Sequence, residues 1–241
     1  MRIFENYIME SLVCSFSGVY EDQGFSVPGA VCIDFRDLAG TSCYCTAEEE
    51  IERRICCLQD GIMSGKACGR KSRKSSKAGE LPRLRWIDSG DYHYMTYILA
   101  KREREPFSLL LLDNHPDNQE PEFGDVLSCG SWVNRLPDSC REVLTIGPET
   151  KDYPSGWAKG KRVYISLDKD IMSKEYARTD WSQGEYSLKQ IEGIIKQVAE
   201  EGTITAIDIC GELSMAKGAT PEDLTINRIT NTRLLELISE L

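Results

Sequence analysis

Histidine is nearly missing from this chain: among 241 residues there are two, His93 and His115. Long apolar runs are missing as well. The longest candidate, Leu109 to Leu112, is buried-strand material, far short of the roughly 20 apolar residues of a membrane span. Cysteine is plentiful at ten, yet no pair has Cys-x-x-Cys spacing. Cys43-Tyr-Cys45 and Cys56-Cys57 are too close for an ordinary zinc knuckle, and no spare histidine exists to complete one. Net positive charge is absent too. A formal charge of −10 speaks against nucleic acid and anionic membrane as partners. The first ten residues carry Glu5 and Glu10 where a signal peptide would be apolar, so the expected location is the cytoplasm, with reduced thiols.

What remains is an ordinary globular composition, 41% hydrophobic and 28% charged. Runs rich in branched and aromatic residues predict strands at Ser11–Val19, Ala30–Phe35, Leu84–Ile87, Phe107–Leu112, Glu142–Ile146, Arg162–Leu167 and Ile204–Ile209. Helical patterns alternate with them. One opens on a capping box at Thr46-Ala-Glu-Glu49, one covers Asp91–Arg104, one Ser187–Glu201, and one starts at Thr220-Pro221. Near-continuous apolar strands alternating with helices predict an α/β protein, three-layer α/β/α with a mostly parallel sheet. No repeat or domain-scale linker interrupts it, so one domain spanning 1–241 is expected. Ser64–Lys77 is basic, rich in Gly and Ser, and without periodicity; it reads as a surface loop or a patch for an acidic partner.

Both histidines sit beside acids at strand ends. Phe107–Leu112 runs into Asp113-Asn-His115-Pro-Asp117, with acid, imidazole and acid at every second position. In extended backbone those three side chains would share a face. Val163–Leu167 runs into Asp168-Lys-Asp170, and Leu84–Ile87 is followed by Ser89-Gly-Asp-Tyr-His93. Together His93, Asp113, His115, Asp117, Asp168 and Asp170 would gather four carboxylates and two imidazoles, which would repel and desolvate at heavy cost unless cations neutralised them. Two divalent ions about 3.5–4 Å apart would do so and would form a hydrolytic site. Oxygen and imidazole donors without sulfur favour Mn2+ over Zn2+. Each motif alone also has a plainer reading as a turn or a helix cap.

The motifs resemble, in the same chain order, those of the arginase–agmatinase (ureohydrolase) family, from about Leu84 to the C-terminus. The family's Gly-Gly-Asp-His turn is similar to Ser89-Gly90-Asp91-Tyr92-His93, its Asp-Ala-His-x-Asp motif to Asp113–Asp117, and its Ser-x-Asp-x-Asp motif to Ser166–Asp170. Thr205-Ala-Ile-Asp208-Ile-Cys-Gly-Glu212 resembles the strand that carries the substrate-side glutamate, and Thr220-Pro-Glu-Asp the start of the last helix. The resemblance implies a pair of Mn2+ ions and water attacking a small guanidino, formimino or amide substrate. His93 would ligate one ion and His115 the other, Asp113 and Asp168 would span them, and Asp117 and Asp170 would complete the shells. Glu212 would hold a cationic substrate or take up its proton. A homo-oligomer is also implied, while residues 1–80 carry no resemblance. The chain departs from the family at Tyr92 and Gly211, each an extra residue, and at Ser128-Cys129-Gly130, where Cys129 stands in place of a proton-relaying histidine. Cys129 would then be either a relay or nucleophile, or a packing residue. Asp180-Trp181-Ser-Gln-Gly184 would line the pocket or place Trp181 in the core. Two other functions remain open at this level: a one-metal deacetylase-like amidohydrolase, and a binding protein that keeps its metals without turnover.

Overall fold

The structure, a computed structural model, describes residues 11–40, 43–60, 80–121 and 123–241. The basic segment 64–77 and the first ten residues lie outside them. Seven strands form one sheet: β1 (Ser11–Ser15), β2 (Val31–Asp34), β3 (Leu84–Ile87), β4 (Phe107–Leu112), β5 (Cys140–Ile146), β6 (Arg162–Asp168) and β7 (Thr203–Cys210). Their order is β2-β1-β3-β7-β6-β4-β5, and every pairing is parallel. All seven predicted strands form.

Alternation along each strand feeds two cores. Leu110, Leu112, Val163, Ile165 and Leu167 face one side, with Val19 and Tyr20 of α1 (Val19–Gln23), Ile191 and Ile195 of α4, and Leu234 and Ile238 of α5. Leu109, Leu111 and Tyr164 face the other, with Ile51 and Ile55 of α2 (Glu48–Gln59) and Ile98 and Leu99 of α3 (Met95–Ala100). The result is the three-layer α/β/α architecture. Strands buried on both faces need near-continuous apolar sequence, which is why these runs were legible.

Helix starts vary in how closely they follow their signals. α4 (Leu188–Glu201) is capped by Ser187 with Gln190, and α5 (Pro221–Ser239) by Thr220 with Asp223, both as reciprocal capping boxes. The box expected at Thr46 does not form: α2 starts after Ala47 with no side-chain cap. The helix expected over Asp91–Arg104 is divided into a single 3-10 turn, Gly90–Tyr92, and the short α3, because the first turn is given over to aiming His93. Among the described residues no helix is long and apolar enough to cross a membrane.

Candidate metal centre

The motif strands β3, β7, β6 and β4 are neighbours in the sheet, so their carboxyl ends open onto one spot, as parallel α/β sheets commonly arrange their sites. A cavity of about 240 Å³ lies there, lined by His93, Asp113, His115, Asp117, Asp168 and Asp170. All six proposed ligands therefore meet.

They do not share one extended face, as the alternation alone implied. Asp113 folds the chain back by accepting from the His115 backbone N–H at 2.7 Å, and Asp117 adopts left-handed backbone at φ 49°. His115 and Asp117 consequently part into two overlapping groups. In the first, His93 Nδ1 lies 2.9 Å from Asp117 Oδ2, 3.2 Å from Asp113 Oδ2 and 3.5 Å from Asp168 Oδ2. In the second, His115 Nδ1 lies 2.8 Å from Asp170 Oδ2 and 3.6 Å from Asp113 Oδ1. Asp113 is thus common to both.

Each histidine is oriented from behind. Ser166 Oγ sits 2.8 Å from His93 Nε2 and Ser182 Oγ 2.9 Å from His115 Nε2, leaving each Nδ1 for the carboxylates. Trp132 Nε1 donates to Asp117 Oδ2 at 2.6 Å, and the Asp170 backbone N–H to Asp168 Oδ1 at 2.9 Å.

Electrostatics mark the cluster as a sink for positive charge. Burial, with the charges of Asp170 and Asp113, pushes Asp168 up to about 7; burial and Asp113 do the same to Asp170. Burial raises Asp117 too. Hydrogen bonds to Asp113 and Asp170 carry His115 up to about 10. Burial opposes the charge of His93, yet Cys210, Asp113 and Asp117 together push it well above the usual imidazole range. Asp113 Oδ2 is buried without a hydrogen-bond partner. An orphaned carboxylate oxygen amid oxygen and nitrogen donors at this spacing fits a cation, so the residues present suit the divalent ions that the resemblance of the motifs implies.

Other residues stand differently from expectation. Glu212 is fully buried and does not line the cavity. It accepts from Lys169 Nζ at 2.5 Å, Gln23 Nε2 at 2.6 Å and Asn231 Nδ2 at 2.8 Å, which corrects its expected place against a substrate cation. Lys169 occupies the middle of the Asp168-Lys-Asp170 motif, and its fully buried amine neutralises Glu212 instead. Trp181 is not core: it is 39% exposed on the cavity wall, edge-on to His115. Gly90 permits this, since a Cβ there would lie 2.9 Å from Trp181 Cδ1 and 3.1 Å from Asp168 Oδ2.

Cys129 does line the cavity, 8% exposed, as does Cys43. Its thiol is hydrogen-bonded to Cys43, and that bond, with burial, pushes it up. The protein's own groups do not lower this thiol in the way a nucleophile needs. No disulfide joins the described cysteines.

Cys210 carries no signal in the sequence that marks it for the site, whereas Asp180 belongs to the Asp180–Gly184 set expected near the pocket. Cys210 ends β7 opposite Asp168, its Sγ 3.2 Å from Asp168 Oδ2; burial and Asp168 push its thiol well up. Beside Trp181, Asp180 buries both carboxylate oxygens without a hydrogen bond, 3.7 Å from Lys217 Nζ, which lies 2.9 Å from Asp91.

No protein-family model matches the chain. An uncharacterized protein from Thermotoga maritima is 29% identical over 142 residues, 53% of this chain and 57% of that protein, so the chain spans little over half of that relative. Among solved structures, a putative agmatinase from Clostridium difficile superposes with a TM-score of 0.64 at 13% identity, over 99% of both chains. A formiminoglutamase from Trypanosoma cruzi, solved with Mn2+, superposes with a TM-score of 0.58 at 8% identity, over 96% of this chain and 93% of that one. The chain has the arginase-type, or ureohydrolase, fold. The likeness reaches the N-terminal strands, which the motifs alone had left outside it.

Proposed function

We propose that the chain is a hydrolase dependent on two divalent ions, cleaving a C–N bond in a small guanidino, formimino or amide compound. The observation that carries the reading is Asp113, whose two oxygens face separate His-carboxylate groups. His93, Asp113, Asp117 and Asp168 would hold one ion, and His115 with Asp113 and Asp170 the other. Mn2+ is the expected metal for oxygen and imidazole donors. Bound there, the ions would supply a water ionised near neutral pH and an electrophilic surface for the scissile carbon.

The chain's own groups divide the remaining work. Ser166 and Ser182 keep the imidazoles aimed, so the ligands need not reorganise during turnover. Trp181 walls the cavity with an aromatic face suited to a planar cation, and Glu120 adds a negative charge to the lining. Cys129 lines the cavity, and with cations bound beside it its thiol would be drawn down far enough to give its proton to a departing amine. A cavity of about 240 Å³ limits the substrate to a small molecule. Two overlapping ligand groups favour this reading over a one-metal deacetylase-like enzyme.

A second reading has its own observation. Lys169 satisfies Glu212, removing the carboxylate that would recognise a cationic substrate, and that favours a metal-holding binding protein without turnover.

Turnover by the Mn2+-loaded chain against a panel of guanidino, formimino and N-acyl compounds separates these. Release of a urea- or formamide-type product that depends on Mn2+ and disappears in Asp113→Ala supports the hydrolase. Preference for N-acetyl amines would replace it with the deacetylase-like reading. Metal retention with no turnover of any compound would leave the binding protein.

A further inference from the structure

We propose that Cys210 is a metal ligand, a thiolate that joins His93, Asp113, Asp117 and Asp168 and makes that one position favour a borderline cation such as Zn2+, Co2+ or Fe2+. The proposal rests on the metal-centre reading above and deepens it, by making the two ion positions chemically unlike.

Sheet register brings the sulfur there. β6 and β7 are paired with Asp168 opposite Cys210, the last residue of each strand. Parallel neighbours in register carry side chains on the same face, so a thiol at this position meets the aspartate on β6. Cys210 Sγ lies 3.2 Å from Asp168 Oδ2, and His93 Nδ1 lies 3.5 Å from that same oxygen. Donor atoms of His93, Asp168 and Cys210 all fall within 4.8 Å of one another, the spacing of ligands around a shared ion.

Cys210, 1% exposed, packs at the edge of the apolar core, yet its sulfur turns to a carboxylate. Gly211 holds it there: at φ 89° the chain turns so close that a Cβ would stand 2.3 Å from Asp168 Oδ1. A side chain at 211 would therefore push the strand end away from the aspartate. Independently, Asp113 Oδ2, in a side chain 1% exposed, has no hydrogen-bond partner and faces the same His93 nitrogen at 3.2 Å. The His93–Asp168–Cys210 group and the His93–Asp113–Asp117 group thus meet at His93. The His115 group has no sulfur, and keeps the hard donor set that suits Mn2+.

Ligation exchanges a proton for a metal. The S–H bond breaks, an S–metal bond forms, and the proton passes to Asp168 Oδ2, which accepts the thiol's hydrogen bond, and on to solvent. No oxidation state changes. Each ion bound at this position therefore releases one proton more than an oxygen-only site would.

Cobalt reports the bond directly. The full chain, stripped with chelator and titrated with Co2+ alone, should develop visible d–d bands together with a near-ultraviolet thiolate-to-cobalt charge-transfer band. Cys210→Ser should lose the charge-transfer band and keep the d–d bands. Cys129→Ser and Cys43→Ser, which alter the other sulfurs lining the cavity, should keep both. In competition, Cys210→Ser should lower the Zn2+-over-Mn2+ preference by about tenfold or more, the scale on which lost ligand support weakens a metal site. Should Cys210→Ser not fold, the Cys43→Ser, Cys129→Ser double variant decides, since loss of the band there would assign it to those sulfurs and overturn the proposal. Wild-type d–d bands without a charge-transfer band would overturn the thiolate while leaving the metal centre intact. No cobalt binding at all would overturn the metal centre as well.

Discussion

His93 Nδ1 lies 2.9 Å from Asp117 Oδ2, and Asp117 is the one non-glycine among the described residues in left-handed backbone, at φ 49°. Such a conformation costs an L-residue on the order of 1–2 kcal/mol. Here it is held by Trp132 Nε1 on the carboxylate and by the Val133 N–H on the Asp117 carbonyl at 3.1 Å. Strain kept in place by surrounding bonds, at a carboxylate that burial already disfavours, points to selection for the site rather than for the fold.

Asp117→Asn tests that relation. Asparagine tolerates left-handed backbone, still accepts from Trp132, and removes a buried charge. The metal-free variant should melt higher than wild type, by an amount reflecting on the order of 1 kcal/mol, while its gain in melting temperature on adding Mn2+ shrinks. Melting curves with chelator and with metal read both. A variant less stable without metal, or one stabilised by metal as fully as wild type, would remove Asp117 from the ligand set.

The pH dependence of metal-free stability follows from the shifts at the site. Asp168, Asp170 and Asp180 each stand at about 7, above the roughly 3.9 of an unfolded aspartate. The folded chain then binds more protons than the unfolded one, so their contribution falls as pH rises from about 4 through about 7. His115, raised to about 10, stabilises fully below about 6.5 and loses that contribution as pH rises through 10. Both trends have one sign. Melting temperature in chelator should fall steadily from about pH 5 to pH 9, and saturating divalent metal should flatten the decline by replacing protons. A metal-free protein that grows more stable with rising pH would contradict the charge balance described.

How much of this was legible divides along one line. Strands buried on both faces wrote themselves as apolar runs, and the candidate ligands stood out at or just after the ends of β3, β4 and β6. What depended on neighbours in the sheet did not. Cys210 reads as one more thiol until β7 is known to lie beside β6, and Lys169 reads as a motif spacer until its amine is found on Glu212. Trp181 looked like core because large aromatics usually are, whereas the bare Gly90 leaves it room at the cavity. Period-two spacing brought Asp113, His115 and Asp117 together correctly but predicted one face, where an Asx-type turn and a left-handed residue make two.

The Lys169–Glu212 pair, with both side chains fully buried, should matter to stability more than to substrate binding. Glu212→Gln leaves a buried ammonium without its anion, and Lys169→Met leaves a buried carboxylate; each should cost about 3–5 kcal/mol. The Lys169→Met, Glu212→Gln double variant should cost less than the sum, since neither charge remains. Denaturant unfolding of the four proteins gives the coupling. If Glu212→Gln unfolds like wild type and instead raises KM for cationic substrates alone, Glu212 returns to the substrate side.

Cys129 remains as the thiol proposed to relay a proton. It lines the cavity, is nearly buried, and keeps its proton because burial and the Cys43 hydrogen bond disfavour the thiolate. Divalent ions bound beside that thiol would draw it down toward the range in which it can give a proton to a departing amine, and this is the role proposed for it. Cys129→Ser keeps the size and one donor proton but raises its pKa further, so turnover should fall by about 10²–10⁴-fold, the range for lost acid–base catalysis, with metal content unchanged. The defect should be smallest for substrates whose leaving amine is already weakly basic, because they need protonation least. Turnover equal to wild type across that substrate series would make Cys129 a packing residue, and metal loss in the variant would make it part of the metal centre instead.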